Sequence, residues 1–320
     1  MCVGAKRLNQ AAQKCMGTNA RLAMKVFVVG NVAVDETFAV SRVPHEGESI
    51  FGTRLSTDLG GKGANQALIL ARCGIPTIFI AAVGSDAKGD LIHRCLNEEP
   101  VAARLVKTCS EASDSSIIIK DERGGNAIIT TTDCSRLLNL EEIEKRMKDA
   151  IAHDILVLQG NISLATTQRL IAKARSRKMK IILNPSPFEI GIEVHLMNVN
   201  TVFLNQHEAF QITGHQSSDA VEKLLTLGVE TVVLSEGEKG LLLGTHAGIF
   251  SVPAHTCDVI DSTGAGDTLL AVALAAAILR QEHIALRSRE VASRAAALTV
   301  SRSGTRMAFP TVEELERLLI

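Results

Sequence analysis

The sequence predicts an α/β domain: a doubly wound, mainly parallel sheet with helices on both faces and a small β lid at one end. Two observations carry that expectation. From residue 140 onward, short apolar runs alternate with helical patterns, as a parallel sheet with crossover helices requires. Two strand-rich stretches, 37–58 and 114–132, stand outside this alternation and are expected to fold together as the lid.

The elements follow in order. Residues 25–30 (KVFVVG) read as a buried strand ended by Gly. Residues 37–58 read as short exposed strands and turns around Pro44 and Gly47. GGKG at 60–63 leads into a helix over 65–73, which Gly74 ends. Residues 77–83 (TIFIAAV) form the next strand, and 84–89 a turn. Residues 116–120 and 127–132 flank DERGG, the composition of a hairpin turn. Helix 140–152 then precedes strand 155–158, and helix 164–176 precedes strand 180–183. Strand 201–204 leads to helix 206–212, and helix 218–227 to strand 231–235. A late hairpin uses 241–243 and 249–252. Helices at 264–280, 289–302 and 311–319 close the chain.

Composition excludes several function classes. The 320 residues suit one large domain, and 46% are apolar, enough for a sizeable core. Lys and Arg total 34 against 35 Asp and Glu, so no basic surface for nucleic acid is expected. Trp and Tyr are absent, which removes the usual base-stacking platforms. No apolar run is long enough to span a bilayer. The seven cysteines include no C-x-x-C pair, which points to reduced thiols in a cytoplasmic protein. Residues 1–23 carry basic residues and no acid, and they lack the apolar middle of a secretory signal. They are expected to be a frayed extension, with the folded domain covering 24–320.

The strongest chemical signal is the run Asp261-Ser262-Thr263-Gly264-Ala265-Gly266-Asp267 at the start of an Ala-rich helix. A Gly-rich turn lets the amides of Gly264, Ala265 and Gly266 face one spot, where the helix start adds partial positive charge. That is an anion hole suited to a transferring phosphoryl group, with Asp267 placed to take a proton from an attacking hydroxyl. A plain Gly-rich turn with an acidic cap is the simpler alternative for this run alone. The second signal is Gly60-Gly61-Lys62-Gly63-Ala64-Asn65-Gln66, in which Lys62 and Asn65 supply donors for polyol hydroxyls. It lacks P-loop spacing, and the first strand lacks the G-x-G-x-x-G of a dinucleotide-binding dehydrogenase.

Taken together, these two runs and their separation resemble the two signatures of the ribokinase-like (PfkB) family of carbohydrate kinases, and most of all its ribose-kinase branch. The resemblance covers residue 24 to the C-terminus. It implies ATP as phosphoryl donor, Mg²⁺ as cofactor, Asp267 as general base and a sugar-type acceptor. It further implies substrate contacts from Asp35, Gly61, Lys62, Asn65 and Asn161, and nucleotide contacts from Asn205, Ser235 and Gly237. Glu208, in the run Asn205-Gln206-His207-Glu208, matches a carboxylate tied to Mg²⁺ through water. Asp261 and Thr263, with the Gly304 turn, match part of a K⁺ site. By analogy the lid pairs two copies into a homodimer.

Three departures bear on specificity. Ala33 stands where the ribose kinases carry Asn, Asn161 is the best match for their sugar-gripping Glu, and Ala308 replaces a Ser that helps close the K⁺ site. The acceptor therefore stays open between a ribose-like monosaccharide and a nucleoside. A phosphosugar, for which Arg54 and Arg123 are the candidate cations, and a non-catalytic sugar-binding relative are the further alternatives.

Overall fold

The computed structural model describes residues 24–108, 110–121, 126–284 and 286–320. The expectations for residues 1–23 and Arg123 lie outside these. A nine-stranded sheet in the order β15-β14-β13-β12-β11-β10-β1-β4-β6 forms the body. In it β1 (Val26–Val29) lies between β10 (Ile155–Gln159) and β4 (Thr77–Ile80), and β4 also pairs with the short edge strand β6 (Ala102–Ala103), while β5 (Ala82–Gly84) and β7 (Val106–Thr108) pair as a separate two-stranded sheet. Beyond β10 lie β11 (Lys180–Asn184), β12 (Thr201–Asn205) and β13 (Thr231–Ser235), all parallel. The hairpin β14 (Leu241–Thr245) and β15 (Gly248–Val252) adds an antiparallel edge.

Strand β1 shows why helices cover both faces. All four of its residues are buried, and their side chains alternate between two cores. Val26 and Val28 face α1 (Lys62–Arg72), α8 (Ala265–Arg280) and α9 (Leu286–Val300). Phe27 and Val29 face the core that α5 (Leu164–Ser176) and α7 (Ser217–Thr226) cover. Helix α8 is buried from Asp267 to Ala277, and its run of alanines lets α1 and α9 approach closely.

The strand-rich stretches pair as a separate four-stranded sheet, β3-β2-β8-β9. It joins β2 (Ala33–Val40), β3 (Gly52–Gly60), β8 (Ser115–Asp121) and β9 (Asn126–Thr130). Pairing begins at Ala33 and runs to Gly60, beyond the 37–58 expected from alternation. The connection 41–51 carries no strand.

Where a turn was expected over 84–89, the chain enters helix α2 (Ala87–Asn97). Asp86 caps it by accepting from the Gly89 amide at 2.7 Å, while Gly89, Ile92, Cys95 and Leu96 make its buried stripe. Gly89 at the first turn gave the segment the look of a loop. Helix α3 (Asp133–Arg136) is short, and α4 (Leu140–Arg146) ends six residues before the expected 152. Helix α6 (Gln206–Thr213) and the last helix, α10 (Val312–Leu319), fall where expected.

Helix α1 is positioned by backbone-to-backbone packing. A Cβ at Gly63 would lie 2.8 Å from Asn31 O, 2.9 Å from Asn31 N and 3.0 Å from Gly30 C, none of which is a flexible side chain. The Ala64 amide donates to Asn31 O at 3.1 Å, and the Gly63 amide to Asn31 Oδ1 at 3.3 Å. Gly63→Ala is therefore expected to lower stability by about 1–3 kcal/mol, measured by urea unfolding, because α1 must lift off the β1–β2 connection.

Candidate active site

Polar residues gather where the parallel strands end. Gln159 on β10 is in register with Asn184 on β11, and Asn205 on β12 with Ser235 on β13. Open α/β sheets bind ligands at this carboxyl edge. Helix α8 starts beside it. Gly264 precedes the helix at φ 79°, a left-handed conformation, and a Cβ there would meet Phe309 at 2.5 Å. The Ala265 amide turns back to Ser262 O at 3.3 Å, so of the three amides assigned to the anion hole this one closes the turn. The Thr268 amide donates to Gly264 O at 2.9 Å, beginning the helical ladder. Gly266 is exposed and faces open space.

Asp267, in the first turn of α8, is 4% exposed. Its Oδ2 accepts from Asn65 Nδ2 at 2.9 Å, and its Oδ1 from Gln66 Nε2 at 2.8 Å. A carboxylate only accepts, so each amide must turn its nitrogen toward it. Gln66 Oε1 consequently faces Gln159 and accepts from its Nε2 at 2.7 Å. Gln66 Nε2 also reaches Asn184 Oδ1 at 3.3 Å, and Asn184 Nδ2 donates to Phe203 O at 3.0 Å. The polarity set at Asp267 leaves Asn65 Oδ1 and Gln159 Oε1 buried without a partner. Asn161 Oδ1 and Asp35 Oδ1 share that condition. All four are acceptors open to a donor from outside the chain, a ligand hydroxyl or a water.

Asp35 lies on β2, opposite Asp58 on β3 and next to Ser116 on β8. Its carboxyl packs flat on Gly60, where a Cβ would meet Oδ2 at 2.0 Å. Burial pushes its pKa up to about 7; Ser116 opposes the shift, and the negative charges of Asp58 and Asp267 add to it. Gly61 caps α1 at φ 93°, and Lys62 stands half-buried at the first helical position.

The remaining expected residues lie at the ends of β12 and β13, in the turns that follow them and in the loop before α8. Asn205 and Glu208 form a reciprocal capping box: Asn205 Oδ1 accepts from the Glu208 amide and Glu208 Oε2 from the Asn205 amide, both at 2.9 Å. One function of this pair is thus to start α6. Ser235 ends β13, and Gly237 at φ 63° opens a short 3₁₀ turn, Gly237–Lys239. Asp261 is buried in the loop before α8, and the Thr263 amide donates to its Oδ1 at 3.0 Å. Gln66, Gln159 and Asn184 complete the site, though no role was expected for them. Gln66 lies in the first signature, but the other two are strand ends that sheet register aligns and that join the network by bonding Gln66. Among the described residues, no group of three or more His, Cys, Asp or Glu could hold a metal ion. No described helix is long and apolar enough to cross a membrane.

The arrangement joins an amide-rich helix start, a buried carboxylate and a set of unpartnered acceptors at a sheet's carboxyl edge. The model of the pfkB family carbohydrate kinases matches residues 23–312. This chain belongs to that family. It is a carbohydrate kinase, a phosphotransferase with an alcohol group as acceptor. Mouse ribokinase is 28% identical over 306 residues, covering 92% of this chain and 94% of the relative. Deoxyribokinase of Salmonella typhi is 25% identical over 305 residues, covering 92% and 99%. The structure of Arabidopsis thaliana ribokinase complexed with ribose and ATP superposes with a TM-score of 0.79 at 26% identity, covering 92% and 98%.

The Asp35 carboxyl gives this kinase a pH signature. A carboxyl whose pKa is raised on folding binds more protons in the folded than in the unfolded chain, so stability falls as pH rises from about 4 to about 7. Asp35→Asn removes that loss. Chemical unfolding at pH 5 and pH 8 should show the variant gaining about 2–3 kcal/mol on the wild type across the interval.

Proposed function

We propose that this carbohydrate kinase transfers the γ-phosphoryl of ATP to a hydroxyl of a small ribose-like sugar, with Asp267 as the general base. The carrying observation is the set of four buried, unpartnered acceptor oxygens on Asp35, Asn65, Gln159 and Asn161. The hydroxyls of a polyol are donors suited to such oxygens. A site built this way discriminates strongly against analogues lacking a hydroxyl, since burial then leaves an acceptor unpaired. ATP as donor is supported by the Arabidopsis relative, whose complex holds ribose and ATP.

The reacting hydroxyl would donate to a free lone pair of Asp267 and attack the γ-phosphorus in line. Asn65 and Gln66 keep the carboxylate oriented for that contact. Amides of the first turn of α8, at Gly264 and Gly266, would receive the negative charge on the transferring group. Asn205, Ser235 and Gly237 would hold the rest of the triphosphate. A single carboxylate suits Mg²⁺, which takes most of its shell from phosphates and water. Glu208, with Oε1 outside the capping box, fits that role. When bound, the ion offsets phosphate charge.

The small sheet acts in this reading as a lid, carrying Asp35 over the acceptor and excluding water. Its exposed Phe51 connection and the exposed Leu55, Ile128 and Ile129 support a homodimer formed by pairing two lids. Cys73, Cys95, Cys134 and Cys257 are free thiols, in keeping with a cytoplasmic enzyme.

The test is ADP release with Mg²⁺–ATP against pentoses, deoxypentoses, hexoses, their phosphates and nucleosides. Turnover is expected on a free pentose or a related monosaccharide. Asp267→Asn should lower kcat by roughly 10²–10⁴-fold while ATP affinity stays within a few-fold. Turnover surviving intact in Asp267→Asn would remove Asp267 from the role of base.

A further inference from the structure

The resemblance to ribokinase-like enzymes assigned Asp261 and Thr263 to a K⁺ site, but the residues do not fit one. Asp261 Oδ1 accepts from the Thr263 amide at 3.0 Å, and Oδ2 from the Gly304 amide at 3.1 Å. The same Oδ2 holds the ammonium of Lys120. The carboxylate is only 3% exposed and already carries a full positive partner with two amides besides. A second cation there would face the ammonium across one carboxylate. Ala308 further lacks the hydroxyl expected to help close the site.

Lys120 is also well placed to act on the phosphoryl site. It lies on β8, beside Ala39 of β2, in the sheet that carries Asp35. Asp261 stands at the other end of the contact, six residues ahead of Asp267, with its amide fixed to Val300 O at 3.0 Å. One carboxylate therefore ties together the turn before α8, the Gly304 turn and the small sheet. The cations flanking Gly304 are engaged elsewhere: Arg302 with Glu314, and Arg306 with Asp58 and Glu98.

We propose that the Lys120 ammonium occupies the structural place of a monovalent cation beside the anion hole, so that this kinase needs no K⁺. An ammonium has the charge of K⁺ and nearly its size, and it neutralises the buried Asp261 as the ion would. Because it comes from the small sheet, it adds what a loose ion cannot: the charge arrives only when the sheet is docked against the phosphoryl-binding turn. Lys120 is a positioning residue, acting on the reacting groups through Asp261 and the Thr263–Gly266 turn. The proposal rests on the reading of the α8 start as the phosphoryl site.

The test compares wild type, Lys120→Ala and Lys120→Gln in tetramethylammonium chloride, with KCl or LiCl replacing it at constant ionic strength. Both turnover and melting temperature are read. The wild type should show neither a rate nor a melting response to K⁺. Lys120→Ala should lose about tenfold or more in kcat/KM for ATP in tetramethylammonium. KCl, and not LiCl, should restore much of that loss and raise the melting temperature of the variant. Lys120→Gln, one atom shorter and polar but without the charge, should show the same dependence if the alanine variant folds poorly. Wild-type melting or turnover that rises several-fold or by several degrees with K⁺ overturns the proposal. So does either variant matching wild type without K⁺. No turnover by wild type in any salt would count against the sugar-kinase reading, and the melting response to K⁺ would still decide the role of Lys120.

Discussion

The pair of amide hydrogen bonds on Asp267 is the constraint on which the candidate site depends. Asn65 and Gln66 reach it from the first turn of α1, more than two hundred residues away in the chain. Those two bonds settle which way every neighbouring amide faces. Gln66 must offer its oxygen to Gln159, and Asn65 and Gln159 must then present their own oxygens without a protein partner. A buried amide oxygen left unpaired costs free energy, which a donor from outside the chain offsets. In the proposed reading, the hydrogen-bonding character of the acceptor site follows from the two amides that Asp267 orients.

That geometry needs α1 and α8 fixed relative to each other and to the sheet. Gly63 lets α1 sit directly on the β1–β2 connection, and the alanines of α8 let the two helices meet. The Gly264 turn, held under Phe309, sets where α8 begins. The small sheet then brings Asp35 from one side and Lys120 from another. Both carry charge into buried ground, but in opposite electrostatic settings. Asp35 stands among other carboxylates, with burial raising its pKa to about 7. Asp261 is buried too, yet Lys120, Thr263 and Gly304 outweigh that burial and hold its carboxyl below the usual range. The first keeps an oxygen without a partner in the chain, and the second is satisfied by the chain itself.

Much of this was legible in the sequence, where the information is local. The alternation of apolar runs and helical patterns foretold the parallel sheet, and the two Gly-rich signatures marked both helix starts at the site. What stayed hidden is carried by register and by contacts between distant segments. Gln159 and Asn184 are ordinary strand ends until the sheet aligns them. Lys120 reads as a surface charge on an exposed strand, and only the docking of that strand brings it to Asp261. Helix α2 was concealed by Gly89, although Ile92, Cys95 and Leu96 carried its period. The run Asn205–Glu208 illustrates the reverse: a motif tied by family likeness to metal also performs the plain work of a capping box.

The most direct test of the central claim is a crystal structure of the enzyme with its sugar acceptor and a non-hydrolysable ATP analogue. The account predicts one sugar hydroxyl bonded to Asp267 and in line with the γ-phosphorus. The remaining hydroxyls should find their acceptors among Asp35, Asn65, Gln159 and Asn161, and Asn65 and Gln66 should still donate to Asp267. A bound sugar that leaves those four oxygens unpartnered, or that turns no hydroxyl toward Asp267, would contradict it.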